Sequence, residues 1–133
     1  MTSVLLRHAS AGDRDGWPGT DRSRPLDRRG QTQAAALVEI LRPLGVRRVV
    51  SSPYVRCIET VQPLAAALDV PVEPDDRLAE GAGPGALELV FEPGVVCCTH
   101  GDIAEAVLGR GLKKAAAVVL SDGNVVREIP PPK

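Results

Sequence analysis

No apolar run in this 133-residue chain approaches the roughly 20 residues needed to cross a bilayer. The N-terminal residues enter a strand pattern at once and show no longer apolar core of a secretion signal. The expectation is a cytoplasmic protein with no membrane partner. Charge of one sign is also lacking, since 16 Lys and Arg stand against 17 Asp and Glu, for a formal net charge of −1. With no basic field, nucleic acid is not an expected partner. Any anion site has to be built locally from clustered cations. Cysteine is scarce: the three present are an odd number in no metal-like spacing. Cys57 falls in a helix pattern, and Cys97 and Cys98 fall inside an apolar strand, so all three read as buried, reduced thiols. Histidine is scarcer still, and the only two, His8 and His100, stand at the same kind of junction.

Val4-Leu5-Leu6 reads as a short buried strand that ends in Arg7-His8. Val95 to Thr99 is a second apolar run, ending in His100-Gly101 before a helix pattern. In open α/β sheets, ligands bind just beyond the carboxyl ends of the strands. Both histidines are therefore expected on that rim. Between the two lie a long loop over Ala11 to Arg24, a first helix with Asp27 as N-cap, and a strand over Arg48-Val49-Val50. A loop of that length is usually functional or mobile. Ser52-Pro53 predicts the start of a second helix, with Arg56 in its first turn and a kink or break at Pro63. Val70 to Glu73 predicts a weak edge strand. Ser121-Asp122-Gly123-Asn124 predicts a hairpin between the last two strands. Strands alternating with helices imply one α/β domain over residues 1–133, with a mostly parallel sheet.

Arg7, His8, Arg56 and His100 then converge on one crevice. Two guanidinium groups and two imidazoles suit a small dianion such as a phosphoryl group. Nearby cations disfavour an imidazolium, so one histidine would be neutral and nucleophilic. The helix start at Gly101 would add backbone N–H donors. Glu80, in the loop from Asp75 to Gly85, could protonate a leaving group and later activate water.

Five segments in order carry a resemblance: Leu6-Arg7-His8-Ala9, Arg24-Pro25-Leu26-Asp27-Arg28-Arg29-Gly30, Ser51-Ser52-Pro53-Tyr54-Val55-Arg56 with Thr60, Leu78-Ala79-Glu80, and Thr99-His100-Gly101. Together they resemble the histidine phosphatase (phosphoglycerate mutase-like) superfamily. The chain is most similar to its small SixA-like phosphohistidine phosphatases, and also to the phosphatase domain fused to mycobacterial Nudix hydrolases. The resemblance implies a three-layer α/β sandwich, with helices on both faces of a six-stranded, mostly parallel sheet in the order 3-2-4-1-5-6. It implies His8 as the phosphorylated nucleophile, Arg7, Arg56, His100 and Gly101 around the phosphate, and Glu80 as general acid. It implies no cofactor and no metal. Ala9 stands where the family usually has glycine, and Glu80 is an acid that SixA-like members often lack.

Only about twenty residues separate Glu80 from His100, where larger relatives insert a cover over the substrate. An open site is expected, suited to a phosphorylated small molecule or a phosphoprotein. An open site also favours water as acceptor, so a metal-independent phosphatase ranks above a phosphomutase. The alternatives are a non-catalytic phosphate-binding regulatory module of the same fold, and a metallohydrolase using His8, His100, Asp102 and Glu80.

Overall fold

The structure, a computed structural model, describes residues 2–133. Its strands are β1 (Ser3–Arg7), β2 (Arg48–Ser51), β3 (Val72–Pro74), β4 (Val95–Thr99), β5 (Ala117–Ser121) and β6 (Asn124–Ile129). They form one sheet in the order β3-β2-β4-β1-β5-β6. Neighbours among β3, β2, β4 and β1 are parallel, while β5 runs antiparallel to both β1 and β6. The expected order and the edge position of β3 are both borne out. The β5–β6 hairpin turns on Asp122 (φ 51°) and Gly123 (φ 80°). Two successive positive φ values match the right-handed twist of the flanking strands.

The helices are α1 (Arg28–Leu41), α2 (Val55–Leu68), α3 (Leu87–Val90) and α4 (Gly101–Leu108). Side-chain alternation along the strands sorts the core into two layers. Val4, Leu6, Val96 and Cys98 pack with Leu37 and Leu41 of α1 and Val61 and Leu64 of α2. Leu5, Val95, Cys97 and Val118 pack on the opposite face, with Leu89 of α3 and Ile103 of α4. Burial on both faces explains why the central strands read as continuous apolar runs. It also gives the three-layer sandwich that was expected. Cys57, Cys97 and Cys98 are free and buried. No helix among the described residues is long and apolar enough to cross a membrane.

Two helix starts differ in how the sequence met the fold. Asp27 caps α1 as expected, accepting from the Gly30 N–H at 2.8 Å. Its other oxygen accepts from Ser10 Oγ at 2.7 Å and from Gly12 N at 3.0 Å, so the same carboxylate ties down the chain beyond β1. Gly30 has no alternative here, because a Cβ would sit 1.9 Å from the Ser10 carbonyl oxygen. Ser52, by contrast, is not an N-cap. α2 begins at Val55, two residues later than such a cap would place it. The Ser52 hydroxyl is taken up by His100 and the Tyr54 N–H instead. Of the kink or break expected at Pro63, the break does not occur, since α2 runs from Val55 through Leu68 as one element. Burial of Thr60, Val61, Leu64 and Ala65 around that proline offsets a cost of about 3 kcal/mol.

Candidate active site

Parallel pairing of β1 with β4 sets Arg7 opposite Thr99, so the next residues, His8 and His100, emerge side by side. Their ring centroids are 5.6 Å apart, edge to face. The His8 backbone N–H donates to Thr99 O at 3.0 Å, which extends the pairing to His8 itself. Just beyond, Ala9 N donates to Thr60 Oγ1 at 2.9 Å, and Thr60 donates to Arg56 O at 2.7 Å. Thr60 thus couples the end of β1 to the helical turn that carries Arg56.

His8 is 5% exposed, and its Nδ1 lies 2.8 Å from the Ala9 carbonyl oxygen. A carbonyl only accepts, so Nδ1 carries the proton and the Nε2 lone pair is free. Burial lowers the His8 pKa to about 3, with Arg56, His100 and Arg7 adding in the same direction against the Ala9 hydrogen bond. The imidazole is therefore neutral at pH 7. His100 contacts Ser52 Oγ through Nε2 at 2.8 Å and Arg56 Nη2 through Nδ1 at 3.5 Å. A guanidinium only donates, so in this arrangement Nδ1 accepts and Nε2 faces Ser52 as donor.

Arg56 is 1% exposed and stacks over the Tyr54 ring at 4.9 Å. Its Nη1 donates to Asp21 O at 2.8 Å and its Nη2 to Asp21 Oδ2 at 3.1 Å. Arg7 Nη1 donates to Leu112 O at 2.8 Å. The Nε atoms of both arginines are buried without a partner among the described residues. Gly101 makes room for one of them, since a Cβ there would lie 3.0 Å from Arg7 Cζ. Glu80 follows a 3-10 turn, Asp76–Leu78, held to β4 by Thr99 Oγ1 donating to Leu78 O at 2.6 Å. Asp102, on α4, accepts from Gly81 N at 2.7 Å and fixes the other side of Glu80. The Glu80 carboxylate lies 3.1 Å from Arg14 Nη2 and 3.7 Å from Arg56 Nη2.

All six expected residues, Arg7, His8, Arg56, Glu80, His100 and Gly101, line one pocket of about 270 Å³. A cavity of about 330 Å³ between α1 and α2, lined by Leu26, Ala34 and Pro63 among others, is larger, but it lacks this convergence of charge. Sequence reasoning missed three residues. Arg14 and Lys114 also line the pocket. Asp21 bridges Arg14, Arg24 and Arg56 at 3.2, 3.2 and 3.1 Å. The length and charge of the loop after His8 signalled a role for that loop, though not which residue holds it. Trp17 folds the loop on itself, its indole donating to Thr20 O at 2.9 Å. The ligand set of a metallohydrolase does not assemble. Asp102 is spent on Gly81, and no group of three or more His, Cys, Asp or Glu among the described residues is placed to hold a metal ion.

A neutral imidazole nitrogen with one buried guanidinium, Arg56, and one half-buried, Arg7, at the carboxyl rim of a parallel sheet forms a site suited to a phosphoryl group. Residues 3–89 match the sequence model of the histidine phosphatase superfamily (branch 1), and the chain belongs to that family. It is 34% identical over 132 residues to an 8-oxo-(d)GTP phosphatase of Mycolicibacterium smegmatis. That match takes in 92% of this chain but 41% of the relative, so the chain spans about two-fifths of that protein's length. Among solved structures, SixA from Agrobacterium tumefaciens superposes with a TM-score of 0.77 at 22% identity, over 98% of each chain. The protein histidine phosphatase SixA complexed with tungstate gives 0.76 at 18% identity, over 98% of this chain and 97% of that one. At such identities these two likenesses are of fold.

Proposed function

We propose that residues 1–133 form one histidine phosphatase domain that hydrolyses a phosphorylated small molecule or phosphoprotein through a phosphohistidine on His8. The observation that carries this is the His8 ring: Nδ1 is committed to Ala9 O, which leaves Nε2 as a neutral nucleophile in a pocket with Arg7, Arg56 and His100. The Nε2 lone pair forms the N–P bond as the bond from phosphorus to the leaving oxygen breaks. Arg7, Arg56 and the Gly101 N–H balance charge on the equatorial oxygens, and His100 serves beside them. Water then attacks phosphorus, the N–P bond breaks, and phosphate leaves. The arginines supply the positive charge that a metal supplies in other phosphatases. The names of the relatives put a nucleoside triphosphate and a protein phosphohistidine among the substrates to try.

Rapid quench with a labelled substrate should trap an acid-labile, base-stable phosphate on the wild-type protein. Vanadate should inhibit turnover and EDTA should not. Complete inactivation by EDTA with rescue by a divalent ion would overturn the metal-independent mechanism.

Glu80 is the proton carrier in this reading. Its carboxylate sits between Arg14 and Arg56 on the rim of the His8 pocket. An alkyl ester must expel a poor alkoxide and needs a proton in the transition state, help worth about 10²–10⁴ in rate. Glu80→Gln should therefore lose that factor in kcat on alkyl phosphates and far less on activated aryl phosphates. Equal losses on both would move Glu80 to the water-activation step. No loss on either would remove it from the chemistry.

A further inference from the structure

Lys114 is a pocket-lining cation that the fold leaves unneutralised. Arg14 is paired with Asp21 and Glu80, and Arg24 with Asp21. The Lys114 ammonium, on an exposed residue, has no hydrogen-bond or ion-pair partner among the described residues, and it stands near enough to Asp27 to favour that carboxylate. Its backbone is nevertheless held firmly against the nucleophile. Ala115 N donates to Arg7 O at 3.2 Å and to His8 O at 3.0 Å. Ala116 N closes the turn onto Lys113 O at 3.0 Å, and Arg7 reaches across to Leu112 O. Ala115 adopts φ +63° while fully buried. A left-handed non-glycine residue is strained, and such strain clusters where surrounding structure fixes a functional group. Here the strained turn seats a free ammonium at the edge of the His8 pocket.

We propose that Lys114 binds a second anionic group of the substrate, adjacent to the phosphoryl group that His8 accepts. The substrate class is then a phosphoanhydride chain, a di- or triphosphate attacked at its terminal phosphorus. This rests on the phosphatase reading above and adds a substrate class to it. Two further observations agree. The pocket, at about 270 Å³, falls short of the roughly 300–1,000 Å³ that enclose a whole small ligand, so only the reacting end is held. None of the three aromatic residues of the chain, Trp17, Tyr54 and Phe91, lines it, so recognition is of the phosphate chain and not of a stacked ring. In the step itself, His8 Nε2 forms the N–P bond and the anhydride P–O bond breaks. The electron pair departs on the shortened chain. Water then releases inorganic phosphate.

The test compares inorganic tripolyphosphate with p-nitrophenyl phosphate, which carries no second anion, in wild type and Lys114→Gln. The ratio of their kcat/KM values should fall at least tenfold in the variant, mainly through the KM for tripolyphosphate. Titration calorimetry with tripolyphosphate and with inorganic phosphate reads the same subsite without turnover. The tripolyphosphate advantage should shrink by a similar factor in Lys114→Gln and be restored in Lys114→Arg. If wild type hydrolyses p-nitrophenyl phosphate but neither the ratio nor the binding advantage responds to Lys114, the second-anion site is wrong and the phosphatase reading stands. If wild type hydrolyses neither compound, the phosphatase reading fails, and the calorimetry alone decides whether Lys114 holds an anion.

Discussion

His8→Asn should form no phosphoenzyme and should lose on the order of 10⁴–10⁶ in kcat, the range for removing a covalent nucleophile. Asparagine keeps a polar amide near the Ala9 carbonyl but has no basic nitrogen for phosphorus. The same variant tests the electrostatics of the site. Burial lowers the His8 pKa to about 3 in the folded chain, from an ordinary value of 6.5. Between those two values the unfolded chain binds a proton that the folded chain does not. The His8 contribution to stability is therefore complete above pH 6.5 and is lost as pH falls towards 3, by about 1.4 kcal/mol per pH unit. Urea unfolding of the wild type should lose about 2 kcal/mol more between pH 6.5 and pH 5 than that of His8→Asn. The His8 imidazole also stays unprotonated in mildly acid solution, so kcat/KM should show no acid limb from His8 near pH 6.5. Phosphate labelling that survives in His8→Asn would sink the covalent mechanism. An unchanged pH slope would sink the buried neutral imidazole.

Arg56→Ala and Arg7→Ala should each cost about 10²–10³ in kcat/KM, the usual loss of a preorganised donor to a charge-developing oxygen. Vanadate affinity should fall with them. Arg56 carries a second task, because its guanidinium holds both the backbone and the carboxylate of Asp21. Asp21 in turn holds Arg14 and Arg24, so Arg56→Ala should also loosen the loop over Ala11 to Arg24. Arg56→Lys keeps the charge without the planar fork and should recover part of the rate. Asp21→Asn removes the charge that holds Arg14 and Arg24 but keeps the Asp21 carbonyl that accepts from Arg56 Nη1, and its loss should show mainly in KM. An Arg56→Ala variant within a few-fold of wild-type rate would remove Arg56 from the phosphate pocket.

Much of this site was legible because strand ends are legible. Val4-Leu5-Leu6 and Val95 to Thr99 announce buried strands by apolar runs alone, and whatever follows such a strand lies on the rim where ligands bind. That placed Arg7, His8, His100 and Gly101 without coordinates. Asp27 was legible for a local reason too: a cap and its N–H donor lie within three residues, so the sequence window contains the whole interaction. The Asp122-Gly123 hairpin belongs to the same kind, since its positive φ values are a property of two adjacent residues.

Other features depended on partners far away in the chain. Ser52 carries a strong local signal for a cap, yet its hydroxyl meets His100, 48 residues on, and that contact outweighs the cap. Pro63 signals a kink or break, yet α2 continues through it with Thr60, Val61, Leu64 and Ala65 buried before and after it in the chain. Thr60 supports the backbone beyond His8 across 51 residues, and Arg14 finds Glu80 across 66. Lys114 looks like any surface lysine until the Ala115 turn is seen bonded to both Arg7 and His8. The sequence by itself determined the parallel sheet, its two histidine-bearing strand ends and the local caps, because apolar periodicity and short-range hydrogen bonds are written within a few residues. Only the tertiary structure decided which oxygen holds each guanidinium, which nitrogen of His8 is free, and which cation is left unpaired at the rim. The guanidinium contacts are competitions among groups that chain order keeps apart and folding brings within 4 Å, and the His8 ring meets the neighbouring Ala9 carbonyl only because the fold turns the chain there.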